Sequence, residues 1–205
     1  MNKTPKPHDL LWGMTIDQLP ADAPVWAQQA LAAGHPVVVR RALCEPGLVA
    51  VGIRGATRDQ RLAAFMPIHS IQRALSPEQL RSRASADFPA LRALETVAPI
   101  LAATGLPWGP TGSVGFQLAT GVPVLHRASD LDLILRTPSN FNRQQARLLL
   151  ATLDDAPCRI DLQLETPNGA VALREWASEA RRVLLKCAER ARLVDNPWLP
   201  MECAA

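Results

Sequence analysis

Two short segments that alternate polar with apolar residues, separated by one helix-patterned stretch, constrain this chain more than any other feature. Ser129-Asp130-Leu131-Asp132-Leu133-Ile134-Leu135 puts Asp130, Asp132 and Ile134 on one face of a strand and three leucines on the other. Arg159-Ile160-Asp161-Leu162-Gln163-Leu164-Glu165 repeats the pattern, with Asp161, Gln163 and Glu165 facing one way and the three apolar side chains the other. Residues 139–152 between them are patterned as a helix, with Ser139 or Asn142 as its N-cap. A rise of about 3.3 Å per residue spaces Asp130 and Asp132 by about 6.6 Å along their strand. If the two strands are neighbours in one sheet, Asp161 reaches the same point.

Like charges held that close on a half-buried sheet repel, and raise one another's pKa unless a cation neutralises them. The carboxylates therefore point to a metal. Ligands that are all oxygen favour a hard ion, Mg²⁺ or Mn²⁺. Three acidic groups around one or two such ions form a clamp for in-line displacement at phosphorus. Upstream, Gly112-Ser113 supplies what carboxylates lack: close backbone approach and N–H donors for a phosphate chain near a helix start. Glu165, just before the turn signal Pro167-Asn168-Gly169, is expected in solvent and outside the chemistry.

Composition narrows the classes. The 205 residues, 48% hydrophobic, suffice for a real core in one domain or two small ones. No run of about 18 apolar residues is present, so no membrane span is expected. The stretch Met1 to His8 lacks the apolar core of a secretory signal. Cys44, Cys158, Cys187 and Cys203 show no C-x-x-C spacing, which fits reduced thiols in a cytoplasm. The four histidines are scattered, which speaks against zinc. A formal charge of +3 does not mark a nucleic-acid binder.

The placement of the charge says more than its sum. Arg40, Arg41, Arg54, Arg58 and Arg61 cluster in the N-terminal half, while His126, Arg127, Arg136 and Arg159 flank the two strands. Guanidinium forks suit triphosphate oxygens, and a basic face also steers an acidic protein partner. Arg54 is singled out as a phosphate ligand because Gly52-Ile53-Arg54-Gly55 reads as a strand ending in a tight turn.

Elsewhere, residues 24–33 pattern as a helix ended by Gly34, and Val37–Val39 and Val49–Arg54 as strands. Thr57 with Gln60, and Ser76 with Gln79, fit capping boxes, the second strengthened by Pro77 at the first helical position. The polar stretch 82–87 marks a boundary between an N-terminal accessory domain, residues 1–84, and a catalytic domain, residues 85–205. A helix is expected from Pro89 toward Thr104, bent or interrupted at Pro99. Leu173, Trp176, Ala177, Ala180, Leu184 and Cys187 at helical spacing predict a C-terminal amphipathic helix whose stripe joins the core.

Gly112-Ser113, Asp130-x-Asp132 and Asp161 together resemble the nucleotidyltransferase superfamily pattern, with a somewhat long spacer between Ser113 and Asp130. The longer string from Gly105 to Phe116, with Thr120-Gly121-Val122-Pro123 and Ser129 to Leu133, resembles the malonate decarboxylase holo-acyl-carrier-protein synthases, which are phosphoribosyl-dephospho-CoA transferases. Pro7 to Trp12, Pro36 to Arg41 and Val51 to Gly55 extend that resemblance over nearly the whole chain.

The resemblance implies an α+β fold, a nucleotidyltransferase-like mixed sheet flanked by helices, with a smaller N-terminal α/β accessory domain. It implies transfer of phosphoribosyl-dephospho-CoA from 2'-(5''-triphosphoribosyl)-3'-dephospho-CoA to a serine of the apo acyl-carrier subunit of malonate decarboxylase, with release of pyrophosphate. Asp130 and Asp132 would hold the metal on the triphosphate, and Asp161 would accept the serine proton or bind a second ion. Trp108 would stack on the adenine or close the phosphate loop, or else pack that loop onto the core. An ATP-dependent nucleotidyltransferase shares the same site, and a non-catalytic carrier-protein adaptor shares the fold; the intact acidic trio argues against the adaptor.

Overall fold

The structure, a computed structural model, describes residues 4–57, 59–80 and 88–199. Arg58, Cys203 and the domain boundary expected at 84/85 lie outside the described residues. The chain runs β1 (Leu10–Trp12), α1 (Val25–Ala32), β2 (Val37–Val39), β3 (Leu48–Arg54), β4 (Arg61–Pro67) and β5 (Arg73–Leu75). It continues with α2 (Pro89–Ala103), β6 (Trp108–Pro110), α3 (Gly112–Thr120), β7 (Leu131–Arg136), α4 (Arg143–Leu153) and β8 (Ile160–Thr166). It closes with β9 (Gly169–Ala172), α5 (Leu173–Trp176), β10 (Val183–Lys186) and β11 (Ala191–Val194). The fold is α+β.

The first five strands form an antiparallel sheet in the order β4-β3-β2-β1-β5. Residues of odd number in β2 and β3, among them Val37, Val39, Val51 and Ile53, turn to one face and pack with Leu11, Ala27, Ala30 and Met66. The other face carries Val38, Gly52 and Ala63 side by side, because Val38 pairs with Gly52 and Gly52 with Ala63. Arg54 and Arg61 are the next pair along.

The second sheet has the order β11-β10-β9-β8-β7-β6. Within it β7 and β8 are parallel, and Asp132 stands opposite Asp161. Parallel neighbours need a crossover, which α4 supplies. Asn142 caps α4: its side chain accepts from the Gln145 amide at 2.8 Å, and Gln145 returns the bond to the Asn142 amide at 2.9 Å. Of the two N-caps foreseen, Asn142 is the one used. Leu131, Leu133, Leu135, Leu162 and Leu164 turn away from the carboxylates and bury against α2 and α4, through Leu94, Val97, Leu101, Ala146 and Leu149.

Two local expectations fail, each for a physical reason. Thr57 and Gln60 cap no helix: Gln60 Oε1 accepts from the Ala56 and Thr57 amides at 2.9 and 3.4 Å, within the loop that joins β3 to β4. The Ser76/Gln79 box does form, before a single 3₁₀ turn with Pro77 first. Pro99 does not interrupt α2, which continues to Ala103 with buried Val97 and Leu101 anchoring it on both sides of the proline. The C-terminal helix ends at Trp176 after one turn, and the chain then becomes the β10–β11 hairpin. Val183 and Leu185 are buried while Leu184 and Lys186 are exposed, so a period of two overrides the apparent helical spacing.

Candidate active site

The carboxylates converge as the alternation requires. Asp132 on β7 and Asp161 on β8 are register partners, and Asp130 precedes β7 on the same face. One oxygen from each of the three lies within 4.8 Å of the others, and all three side chains are half-buried. Three hard, anionic oxygens that close can hold a divalent cation such as Mg²⁺ without rearranging the strands. Arg159 is bonded to the trio, donating to Asp161 Oδ1 through Nε at 3.1 Å and Nη2 at 2.9 Å.

Gly112 and Ser113 stand beside them. The Thr111 amide donates to the Asp132 carbonyl at 2.9 Å, which pins the start of α3 against β7. Gly112 has φ +57, and a Cβ there would sit 1.9 Å from Asp132 Oδ2. Only glycine lets backbone and carboxylate approach so closely. Asp132 and the amino end of α3 thus share one small volume, where a metal and a phosphate can be held together.

Arg54 reaches this point from the other sheet. Its Nη2 donates to Ser113 Oγ at 2.8 Å, and its guanidinium lies over the Phe116 ring, 5.3 Å from the centroid. Arg54 Nε is buried without a hydrogen-bond partner among the described residues. Burial, with repulsion from Arg61, pushes the Arg54 pKa down to about 10 against the attraction of Asp132. It remains charged at neutral pH, an unfinished donor beside the proposed phosphate position.

Arg54 also lines a cavity of about 540 Å³ between the sheets, with Arg40, Arg61, Gly112, Phe116 and Asp132 in its wall. Arg40 and Arg61 belong to the arginine cluster seen in the sequence, where nothing distinguished them from surface residues. Gln163 lines the same cavity and drew no functional reading, although it shares a strand face with Asp161. That shared face was the available signal.

Glu165 is not in solvent. It is buried, 8% exposed, and its carboxylate is held by Arg41, with Arg136 at 3.6 Å and His8 at 3.8 Å. Arg41 reaches it from the N-terminal half, whereas Arg136 is its register partner on β7. Trp108 packs half-buried against the core of the second sheet. Its position on β6, opposite Leu135, supports the packing reading.

Comparison with known proteins places the chain in a family. Residues 6–77 match the family model of the phosphoribosyl-dephospho-CoA transferase MdcG N-terminal domain, and residues 75–197 that of the C-terminal domain. A phosphoribosyl-dephospho-CoA transferase of Pseudomonas putida (strain W619) is 63% identical over 201 residues, 98% of both chains. One from Pseudomonas fluorescens (strain Pf0-1) is 60% identical over the full length of both chains, and one from Azotobacter vinelandii is 56% identical over 95% of this chain and 94% of its own. No solved structure matches the chain. The protein is a transferase. It belongs to the phosphoribosyl-dephospho-CoA transferase family.

Proposed function

We propose that this enzyme transfers phosphoribosyl-dephospho-CoA from 2'-(5''-triphosphoribosyl)-3'-dephospho-CoA to a serine of the apo acyl-carrier subunit of malonate decarboxylase. The observation that carries the reading is the meeting of Asp130, Asp132 and Asp161 with Gly112-Ser113 and Arg54, on a chain whose relatives are named phosphoribosyl-dephospho-CoA transferases. The serine oxygen forms a bond to the phosphorus next to the ribose as the bond from that phosphorus to the pyrophosphate oxygen breaks. The electron pair leaves with pyrophosphate.

Asp130, Asp132 and Asp161 would hold Mg²⁺, or Mn²⁺ in its place, which when bound supplies charge neutralisation on the phosphate oxygens. The remaining work falls to the chain itself. Asp161 accepts the serine proton or ligates a second ion beside the nucleophile. Gly112 and Ser113 offer backbone donors to the phosphates, and Arg54 adds a guanidinium fork to the departing pyrophosphate. The two sheets serve as an accessory unit, residues 1–84, and a nucleotidyltransferase-like catalytic unit, residues 85–205. Free thiols at Cys44 and Cys158 suit a reducing cytoplasm, and no helix among the described residues is long and apolar enough to cross a membrane.

Mass spectrometry of the apo carrier subunit, after incubation with the enzyme, Mg²⁺ and the triphosphoribosyl donor, tests the reading. The carrier should gain one phosphoribosyl-dephospho-CoA on a serine. Asp132→Asn should cut the rate by about a thousandfold or more, since several kcal/mol of charge stabilisation go with that ligand. Transfer of a nucleoside monophosphate from ATP instead would identify a general nucleotidyltransferase. A carrier that binds but never gains mass, under any donor, would make the protein an adaptor.

A further inference from the structure

Asp132 and Gln163 stand in the wall between two cavities. On one side is the cleft of about 540 Å³ between the sheets, where Arg40, Arg54 and Arg61 face Asp132. The stem of Arg40 lies across Gly52: a Cβ there would come within 3.3 Å of Arg40 Cδ, so the glycine leaves room for the arginine in the cleft. On the other side is a smaller cavity of about 290 Å³, walled by Asp161, Arg159, Ile160 and Leu173 and rimmed by Arg174 and Lys186.

The two differ in size and charge. The larger falls within the range of roughly 300–1,000 Å³ in which small-molecule ligands are bound, and the smaller falls just below it. The cleft has three arginines against one aspartate among its lining residues, a surplus that fits a polyphosphate. In the smaller cavity Arg159 is bonded to Asp161, and Arg174 Nη2 meets Asp154 Oδ1 at 2.8 Å. It admits a hydroxymethyl group on the tip of a protein loop rather than a dinucleotide-sized donor.

In-line displacement requires the attacking and leaving oxygens on opposite sides of the phosphorus. A site whose carboxylates form the partition between two cavities provides opposite approaches. We propose that the enzyme is two-sided: the donor's pyrophosphate end lies in the cleft against Arg40, Arg54 and Arg61, and the carrier's serine enters through the cavity beside Asp161. The inference rests on the transfer reaction proposed above and adds which surface receives each substrate. Arg174 and Lys186, exposed at the smaller mouth, meet the acidic face of the carrier protein.

Two double variants of the full-length enzyme test the sidedness. The probe for the cleft is inorganic pyrophosphate with Mg²⁺, titrated by calorimetry. Arg40→Ala with Arg61→Ala should weaken pyrophosphate at least about tenfold and raise the donor KM, while the carrier KM stays within about twofold. Arg174→Glu with Lys186→Glu should do the reverse, raising the carrier KM about tenfold and leaving pyrophosphate affinity alone. Thermal melts establish that both variants fold. Unchanged pyrophosphate affinity in the first variant, or the same parameter moved by both, overturns the two-sided arrangement while wild-type transfer leaves the reaction itself standing. A wild-type enzyme that transfers nothing from the triphosphoribosyl donor overturns the reaction and the sidedness together.

Discussion

Strands β7 and β8 carry acidic side chains at both ends of one face, and the two ends have opposite fates. At their beginning Asp130, Asp132 and Asp161 crowd together, with Arg159 bonded to Asp161. At their far end Arg136 and Glu165 are register partners, and Glu165 lies between Arg41 and Arg136 while Arg136 Nε also donates to Glu78 at 2.7 Å. The facing sheet supplies Arg54 near the first cluster and Arg41, Asp9 and Glu78 at the second. Each end holds three carboxylates and two guanidiniums, and the arrangement separates them. At the first end one oxygen from each carboxylate converges within 4.8 Å, close enough to share a cation. At the second the carboxylates are spread around Arg41 and Arg136, and these ion pairs join the sheets. Acidic residues on a strand do not announce their use; how they are grouped in space does.

The comparison breaks or sharpens at particular residues. After Asp132→Asn, Gly112→Ala has the largest expected effect, because the methyl group would sit 1.9 Å from Asp132 Oδ2 and displace that carboxylate. Misplacement on that scale costs about a hundredfold in turnover, read as the rate of carrier modification, with the melting curve shifted far less. Near wild-type turnover would mean that Asp132 is not held where the chemistry happens.

Glu165→Gln should act the other way round. Removing one partner of a buried ion pair costs about 3 kcal/mol, visible in urea denaturation, while turnover per folded molecule stays within a few-fold. A variant that is stable but inactive would place Glu165 in the chemistry and erase the distinction between the ends.

The smallest effect is a slope with pH. Burial holds the His8 imidazole below its usual 6.5, with Arg41 and Arg136 adding to the effect and Glu165 opposing it; Lys186 also lowers it. The unfolded chain therefore takes up a proton that the folded chain resists. His8 contributes full stability above pH 6.5, and that contribution is lost as pH falls from 6.5 toward the folded value. His8→Asn, which tolerates the residue's φ of +74, should remove this slope, at most about 1.4 kcal/mol per pH unit, from urea midpoints measured between pH 5 and 8. An unchanged slope over that range would exclude His8 as its source. Glu78 acts in a different window: hydrogen bonds from Arg136, Ser76 and the backbone, with the charge of Arg136, together outweigh its burial and lower its pKa, so its contribution is lost only as pH falls below the usual carboxylate value of 4.5.

Much of the C-terminal half was legible without coordinates. Alternation over residues 129–135 and 159–165 gave both strands and the shared face of the carboxylates, and the Asn142 box gave the start of the intervening helix. These are local patterns with a fixed period, so each residue's facing follows from its neighbours. The C-terminal helix was misread because Leu173, Trp176 and Ala177 do begin a helical turn, and the switch to period two at Val183 depends on pairing with β9 and β11. Nothing local to Glu165 reveals that Arg41, distant in sequence, will cover it.

The chain's order of residues thus determined which carboxylates lie on one strand face, where α4 is capped, and that glycine precedes Ser113. Tertiary structure alone decided that Arg54 bonds Ser113 across fifty-nine positions, that Glu165 is buried, and that Asp132 and Gln163 divide two cavities. The physical reason is range. Backbone periodicity acts over a few residues, whereas charge matching and cavity walls arise only when separate sheets meet.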